Sequence, residues 1–193
     1  DVAVRIRLIH LGFEQCGLKQ GDKVALCGRN QANWAIAFLA CITYGAVVVP
    51  ILHEFKPGNI QHLVNHSDSR IFFVGEQVWE SLNEAEMPNL EAIVGLNDFD
   101  ILYAPDQEII NIRNGLDAAF EGMYKDGMKP DDISYYKDQP DELALINYTS
   151  GTTGFSKGVM LPYRSLLSNI LFGWEVMPQV SNGAKVVSML PSA

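Results

Sequence analysis

The sequence WAIAFLACITYGAVVVPIL spans residues 34–52 and contains 19 residues without a charged side chain. That length is close to the roughly 20 apolar residues that cross a membrane as a helix. Its pattern, however, changes along the stretch. Residues 33–44 predict a helix that ends at Gly45, and the valine-rich residues 46–49 predict a short strand that Pro50 closes. We therefore predict a buried helix–turn–strand unit and not a membrane span.

The preceding and following segments show the same alternation. Residues 2–16 place apolar side chains at helical spacing, and the apolar run at residues 23–27 predicts a buried strand. Asn59 can cap a helix through His66, and residues 70–74 predict another strand. Alternating helices and strands imply βαβ crossovers. The predicted fold class is thus α/β, a layered helix–sheet–helix arrangement with a largely parallel sheet.

Residues 76–142 are less regular than the segments around them. We predict a strand at 90–94, a loop at 98–107, an amphipathic helix at 112–124 and an aspartate-rich surface connector at 128–142. Fewer regular elements are therefore expected here than in the first 75 residues.

Regular order returns after this segment. A buried strand is predicted at residues 143–148, followed by a glycine-rich loop, an apolar run at 159–161, a helix at 165–174 and a final strand at 185–190. The predicted organisation thus has three parts: residues 1–75, 76–142 and 143–193.

Charge is distributed unevenly along the 193 residues. The chain has 14 basic and 23 acidic residues, a net charge of −9. Residues 76–142 hold 17 of the acidic and four of the basic residues, whereas the remainder carries ten basic and six acidic residues. The overall sign argues against nucleic acid as a partner. The positive remainder can still face an anionic ligand.

The three cysteines, Cys16, Cys27 and Cys41, show no CxxC spacing, and no secretory signal opens the chain. Their apolar surroundings indicate reduced thiols, as in a cytoplasmic protein. Peripheral contact with a membrane and the oligomeric state stay open at this point.

The segment TSGTTGFSKG, residues 149–158, has the composition of a phosphate-binding loop. Glycines let backbone amides converge on an anion, hydroxyl groups add donors, and a lysine adds a positive charge. The spacing differs from that of the Walker loop. The candidate binding residues are Thr149, Ser150, Gly151, Thr152, Thr153, Gly154 and Lys157.

Two other interpretations of this loop need no ligand. Such a composition also occurs in flexible linkers, and the loop could serve the fold alone. The loop directly follows one predicted core strand and precedes another apolar run, which is unusual for a linker. Phosphate binding is therefore the favoured hypothesis.

At these residues the chain resembles a known family. YTSGTTGFSKG, residues 148–158, closely resembles the phosphate loop of the adenylate-forming enzymes, the AMP-binding superfamily. Residues 21–25, 30–34 and 44–50 resemble the N-terminal subdomain of the same family, in the expected order. The resemblance extends over essentially the whole chain and is weakest in residues 76–142.

The resemblance implies a two-step ligase. ATP and a carboxylate form an acyl-adenylate with release of pyrophosphate, and a thiol, usually coenzyme A, then takes the acyl group. The seven loop residues above would hold the β- and γ-phosphates, and Thr149 would contact Mg²⁺. Ser156 stands where many members have proline, which loosens the loop but removes no contact group.

Within the family, the loop with Phe155, residues 158–161 and residues 164–169 resemble the long-chain fatty acid branch. The resemblance therefore implies a fatty acid–CoA ligase. Alternatives are a ligase for aryl acids or amino acids, and a non-catalytic phosphate-binding module. The family's later adenine and ribose motifs and its C-terminal lysine have no counterpart here. We thus expect residues 1–193 to be an incomplete N-terminal AMP-binding domain that is inactive alone.

Other polar groups are weaker candidates. His62 and His66 have the i, i+4 spacing of a metal-binding pair but no nearby third ligand, and the acidic pairs at 131–132 and 141–142 are expected to be solvated. Core packing is expected for Cys27, Cys41, Trp34, Phe38 and Tyr44.

Overall fold

A computed structural model describes residues 1–149 and 157–177, together with residues 183 and 185. The six α-helices within this part are α1 (Val2–Gln15), α2 (Ala32–Tyr44), α3 (Pro57–His66), α4 (Glu76–Trp79), α5 (Gln107–Met123) and α6 (Tyr163–Val176). The seven strands are β1 (Lys23–Cys27), β2 (Val47–Ile51), β3 (Ser69–Val74), β4 (Ala92–Gly95), β5 (Ile101–Tyr103), β6 (Leu143–Thr149) and β7 (Lys157–Pro162). The strand predicted at 185–190 lies outside the described residues, apart from residue 185 itself.

The seven strands form one sheet in the order β5-β4-β3-β1-β2-β6-β7. The five central strands pair in parallel, and the two outermost strands, β5 and β7, pair antiparallel with their neighbours. The predicted α/β class with a largely parallel sheet is confirmed. Because the central strands are parallel, their carboxyl ends all lie at one edge of the sheet.

The helix–turn–strand prediction is also confirmed. Helix α2 ends at Gly45, which adopts a φ of +87°, and the Ala46 amide donates to the Cys41 carbonyl at 3.0 Å. Strand β2 is buried along its whole length and runs through Pro50, so the prediction that Pro50 closes the strand is wrong. Pro50 lies opposite Leu26, near the carboxyl end of the strand. In the described part of the chain, no helix is long and apolar enough to cross a membrane.

Several predicted boundaries differ from the structure. Helix α3 begins at Pro57, after Lys56, because proline is pre-organised for a first helical turn; Asn59 is inside the helix. Helix α5 begins at Gln107, where the Asp106 carboxylate accepts from the Glu108 amide at 2.9 Å. The segment predicted as a loop at 98–107 contains the three-residue edge strand β5.

The core has two layers because the central strands are buried on both faces. Leu26 and Phe73 pack on the side of α1, α2 and α5, whereas Cys27 and Phe72 pack on the side of α3. Burial raises the pKa of the Cys27 thiol to about 12. The three cysteines are free thiols, and Cys27 and Cys41 lie in the core as predicted.

His10, on α1, is a buried titratable group. It is 4% exposed, and its Nε2 lies 2.9 Å from the Ala40 carbonyl oxygen and 3.1 Å from Thr43 Oγ1. The Thr43 hydroxyl itself donates to the Leu39 carbonyl, so a neutral ring that donates from Nε2 satisfies this arrangement. Burial lowers the pKa of His10, and the nearby Arg7 lowers it further, against the Ala40 bond and Glu14.

Acidification is therefore expected to destabilise the protein through His10. The unfolded chain binds more protons below the ordinary histidine pKa of about 6.5, so the free energy of unfolding falls as the pH drops below that value. One such group contributes a slope of at most about 1.4 kcal/mol per pH unit. Urea unfolding measures the free energy of unfolding between pH 5 and 8. This free energy should depend less steeply on pH in His10→Gln than in the wild type. His62→Gln, at an exposed site, is the control. If the free energy of unfolding changes with pH equally steeply in the wild type and in His10→Gln, the predicted role of His10 is wrong.

Candidate functional site

The predicted phosphate loop connects the last two strands of the sheet. Strands β6 and β7 form an antiparallel pair in which Thr149 is opposite Lys157, and residues 150–156 join them. Of the predicted site residues, the structure therefore places Thr149 and Lys157. The other five lie outside the described residues: Ser150, Gly151, Thr152, Thr153 and Gly154.

Thr149 and Lys157 meet across the base of this connection. Directly opposed residues of an antiparallel pair project from the same face, with Cβ atoms about 4.5–5.5 Å apart. Both residues are exposed. Because β6 is one of the parallel strands, the pair lies at the carboxyl edge of the sheet, where open α/β sheets bind ligands. A hydroxyl and an ammonium group are thus available together to an anion at this edge.

The base of the hairpin is fixed by close packing around a tyrosine. A Cβ on Gly158 would lie 3.3 Å from the Tyr148 ring and 2.9 Å from the Ile146 side chain, so glycine allows the two strands to pair around that ring. The buried Tyr148 hydroxyl lies 2.7 Å from His66 Nδ1. Burial raises the pKa of Tyr148, and Asp68 adds to this effect. Helix α3 is therefore hydrogen-bonded to the strand that leads into the loop.

Sequence reasoning missed this role of His66. Its partner is 82 residues away, and no local pattern links the two. The His62 and His66 rings lie 5.8 Å apart. Within residues 1–149 and 157–177, no group of three or more His, Cys, Asp or Glu side chains could hold a metal ion. His66 is instead engaged with the Tyr148 hydroxyl through its Nδ1.

The described residues nevertheless fit Mg²⁺ bound together with a phosphate ligand. Mg²⁺ prefers hard oxygen ligands and is usually held by few protein groups plus substrate phosphates and water. The exposed Thr149 hydroxyl is such an oxygen, and it lies next to the predicted phosphate-binding residues. No dedicated carboxylate cage is needed for this mode of binding.

The acidic pairs have local structural partners. The Asp132 carboxylate accepts from the Lys129 amide at 2.7 Å, and Asp141 pairs with Arg164. Glu142 accepts from the Tyr136 hydroxyl at 2.8 Å, which raises the pKa of that tyrosine. These contacts connect the segment before β6 to its surroundings.

A second opening lies at the same edge of the sheet. The connection from β1 leads to β2 on one side, and the chain then crosses back to β3 on the other side, which makes β1–β3 a topological switch point. A cleft of about 460 Å³ lies there. Its lining includes Arg29, His53, Phe55, Gln77 and Asn97. Glu76 also lines the cleft, which therefore offers a cation, a carboxylate, an aromatic ring and several amides to a polar ligand.

Comparison with known proteins agrees with this architecture. The family described as "AMP-binding enzyme" matches residues 3–193. Long-chain-fatty-acid–CoA ligase 6 of Rattus norvegicus is 27% identical over 176 residues, which cover 88% of this chain and 25% of that protein. The chain thus spans about a quarter of the length of such relatives.

Two solved structures show the same fold. A long-chain-fatty-acid-CoA ligase from Archaeoglobus fulgidus superposes with a TM-score of 0.73 at 22% identity, covering 98% of this chain and 34% of that one. An anthranilate CoA ligase in complex with anthranoyl-AMP superposes with a TM-score of 0.68 at 19% identity, covering 90% of this chain and 30% of that one. At these identities the likeness concerns the fold.

Proposed function

The chain belongs to the AMP-binding enzyme family, and on that premise we propose that it forms the phosphate-gripping part of an ATP-dependent acid–CoA ligase. In the proposed reaction, a carboxylate oxygen of a long-chain fatty acid attacks the α-phosphorus of ATP, and pyrophosphate leaves. The thiol of coenzyme A then attacks the acyl carbon of the acyl-AMP, and AMP leaves. The opposition of Thr149 and Lys157 at the carboxyl edge carries this proposal.

Each residue at the base of the loop has a defined role in the proposal. Lys157 places a positive charge against the β- and γ-phosphates and so orients the leaving pyrophosphate. Thr149 offers a hydroxyl oxygen to the phosphates or to the accompanying Mg²⁺. When bound, Mg²⁺ neutralises phosphate charge. Ser150, Gly151, Thr152, Thr153 and Gly154 would complete the cradle.

The second substrate also has a suitable place on the described surface. Coenzyme A carries phosphates and a planar base, and the cleft at the β1–β3 switch point has Arg29 and Phe55, together with Glu76, in its lining. This supports coenzyme A as the thiol substrate, in keeping with the ligase names of the similar proteins. The names of these similar proteins also favour a fatty acid as the acid substrate. An aryl acid is the second candidate, because an anthranilate ligase shares the fold.

The choice of acid is tested by adenylation with acids of graded size. In the proposed ligase, pyrophosphate exchange is expected to show a kcat/KM at least about tenfold higher for palmitate than for acetate, since each buried methylene adds about 0.8 kcal/mol. A preference for benzoate or anthranilate would replace the fatty acid by an aryl acid. Exchange with none of these acids would favour a non-catalytic phosphate-binding module.

A further inference from the structure

We propose that the cavity between helices α1 and α5 is a binding site for a medium-chain carboxylic acid, separate from the phosphate-binding hairpin. Residues of the two helices line one side of the cavity, and residues of strands β3 and β4 line the other. It lies on the half of the sheet that ends in β5, whereas the hairpin forms the other edge. Nothing in its lining belongs to the phosphate site.

The interior of this cavity is apolar. Leu8, Phe13, Phe73, Ile109 and Leu116 are among the side chains that line it. Helix α1 contributes Gly12 at the point where the two helices approach, and a Cβ there would lie 3.7 Å from Leu116 Cδ2. An interior of this composition does not hold water well and favours a hydrocarbon ligand.

Its size sets the length of that ligand. The cavity volume is about 210 Å³. An apolar cavity of about 150 Å³ lined by similar residues stays dry and binds benzene, a molecule of six carbons. Scaled by volume, the present cavity takes a chain of about eight carbons. It is smaller than the roughly 300–1,000 Å³ of pockets for drug-sized ligands and is open to solvent on one side, so only about eight carbons of an acyl chain lie inside it.

The charged side chains of the lining favour a carboxylate head group at Arg5. Four charged residues line the cavity: Arg5, Asp98, Arg113 and Asp117. Arg113 already forms ion pairs with Asp100 at 2.8 Å and Asp117 at 3.6 Å, and it donates to the Phe99 carbonyl. The Asp98 carboxylate accepts from the Asp100 amide.

Arg5, by contrast, has neutral partners. Its Nη2 donates to Asn33 Oδ1 at 2.8 Å, and its guanidinium carbon lies 5.4 Å from the centre of the Phe99 ring. Within residues 1–149 and 157–177, Arg5 forms no ion pair. A ligand carboxylate can therefore give Arg5 an anionic partner, which a neutral head group cannot.

Cys16 provides a reporter within the protein. It lines the cavity and is partly exposed, whereas Cys27 and Cys41 are fully buried. Alkylation of the 193-residue chain by N-ethylmaleimide, followed by peptide mass spectrometry, therefore measures access to Cys16 against two internal references. At ten times its dissociation constant, octanoate is expected to slow Cys16 alkylation about tenfold, while butyrate at the same concentration has little effect.

Two variants separate the parts of the proposal. Leu116→Trp fills the cavity and is expected to remove the protection by octanoate; Leu167→Trp, on the exposed surface of α6, is the matched control. Arg5→Gln retains the shape of the cavity. It is expected to weaken the binding of octanoate about tenfold and to leave the binding of octanol unchanged. Circular dichroism checks that each variant is folded.

The outcomes decide the proposal independently of the phosphate site. Lys157→Ala must retain protection by octanoate. Protection that persists in a folded Leu116→Trp variant, or no protection in the wild type, would overturn the cavity site. If Arg5→Gln binds octanoate as the wild type does, the assignment of the head group to Arg5 is overturned.

Discussion

Lys157→Ala is expected to lower kcat/KM for ATP at least about 100-fold in the proposed ligase. Removing one preorganised group that stabilises developing charge typically reduces kcat by about 10²–10³. Lys157 is exposed opposite Thr149 at the base of the loop, so its ammonium is accessible to a polyphosphate. Pyrophosphate exchange dependent on ATP and palmitate measures the effect.

The controls for Lys157 separate charge from geometry. Lys137→Ala removes an exposed lysine from the acidic connector and is expected to leave the exchange rate unchanged. Lys157→Arg keeps the charge but not the compact ammonium, and an intermediate rate is expected. In isothermal titration of the 193-residue chain with MgATP, Lys157→Ala should give smaller heats of binding than the wild type. If Lys157→Ala exchanges pyrophosphate as fast as Lys137→Ala, the proposed role of the loop is wrong.

Local sequence patterns were sufficient for most of the sheet and its helices. Residues 24–27 and 71–74 are continuous apolar runs because both faces of these strands are covered, and Gly45 marks a helix end through its positive φ. The sequence pattern of the edge strand β5 was too short and too weak to predict it. Strand β5 has three residues, and its burial alternates only weakly, so neighbouring strands rather than its own sequence define it.

Contacts between distant residues could not be predicted in this way. The hydrogen bond between His66 and Tyr148 joins α3 to β6 and has no signature in either segment. The same holds for the α1–α5 cavity, whose lining comes from residues 5–117. For the phosphate loop, the composition and resemblance identified seven residues. The structure places two of them opposite each other, and the role of all seven stays a prediction.

Gly45→Ala is expected to destabilise the fold by about 2–4 kcal/mol, and it tests how the acidic connector packs on the first half of the chain. Gly45 has a φ of +87°, a conformation that costs an L-residue about 1 kcal/mol or more. An added Cβ would also lie 2.7 Å from the Tyr136 ring. The Tyr136 amide donates to the Thr43 carbonyl at 2.9 Å and its hydroxyl donates to Glu142 at 2.8 Å. Both the backbone and the ring of Tyr136 are therefore held in place, and overpacking adds about 1–3 kcal/mol.

A double-mutant cycle separates these two contributions. In the Tyr136→Ala background the steric contact is absent, so Gly45→Ala is expected to cost only the backbone strain of about 1 kcal/mol. Gly122→Ala in α5 is the matched control, since a Cβ there meets nothing within 4 Å and helix propensity favours alanine. Urea unfolding provides the free energies. An equal cost in both backgrounds would mean that Tyr136 does not pack on Gly45 in solution, and the connector would then be held through its backbone contacts alone.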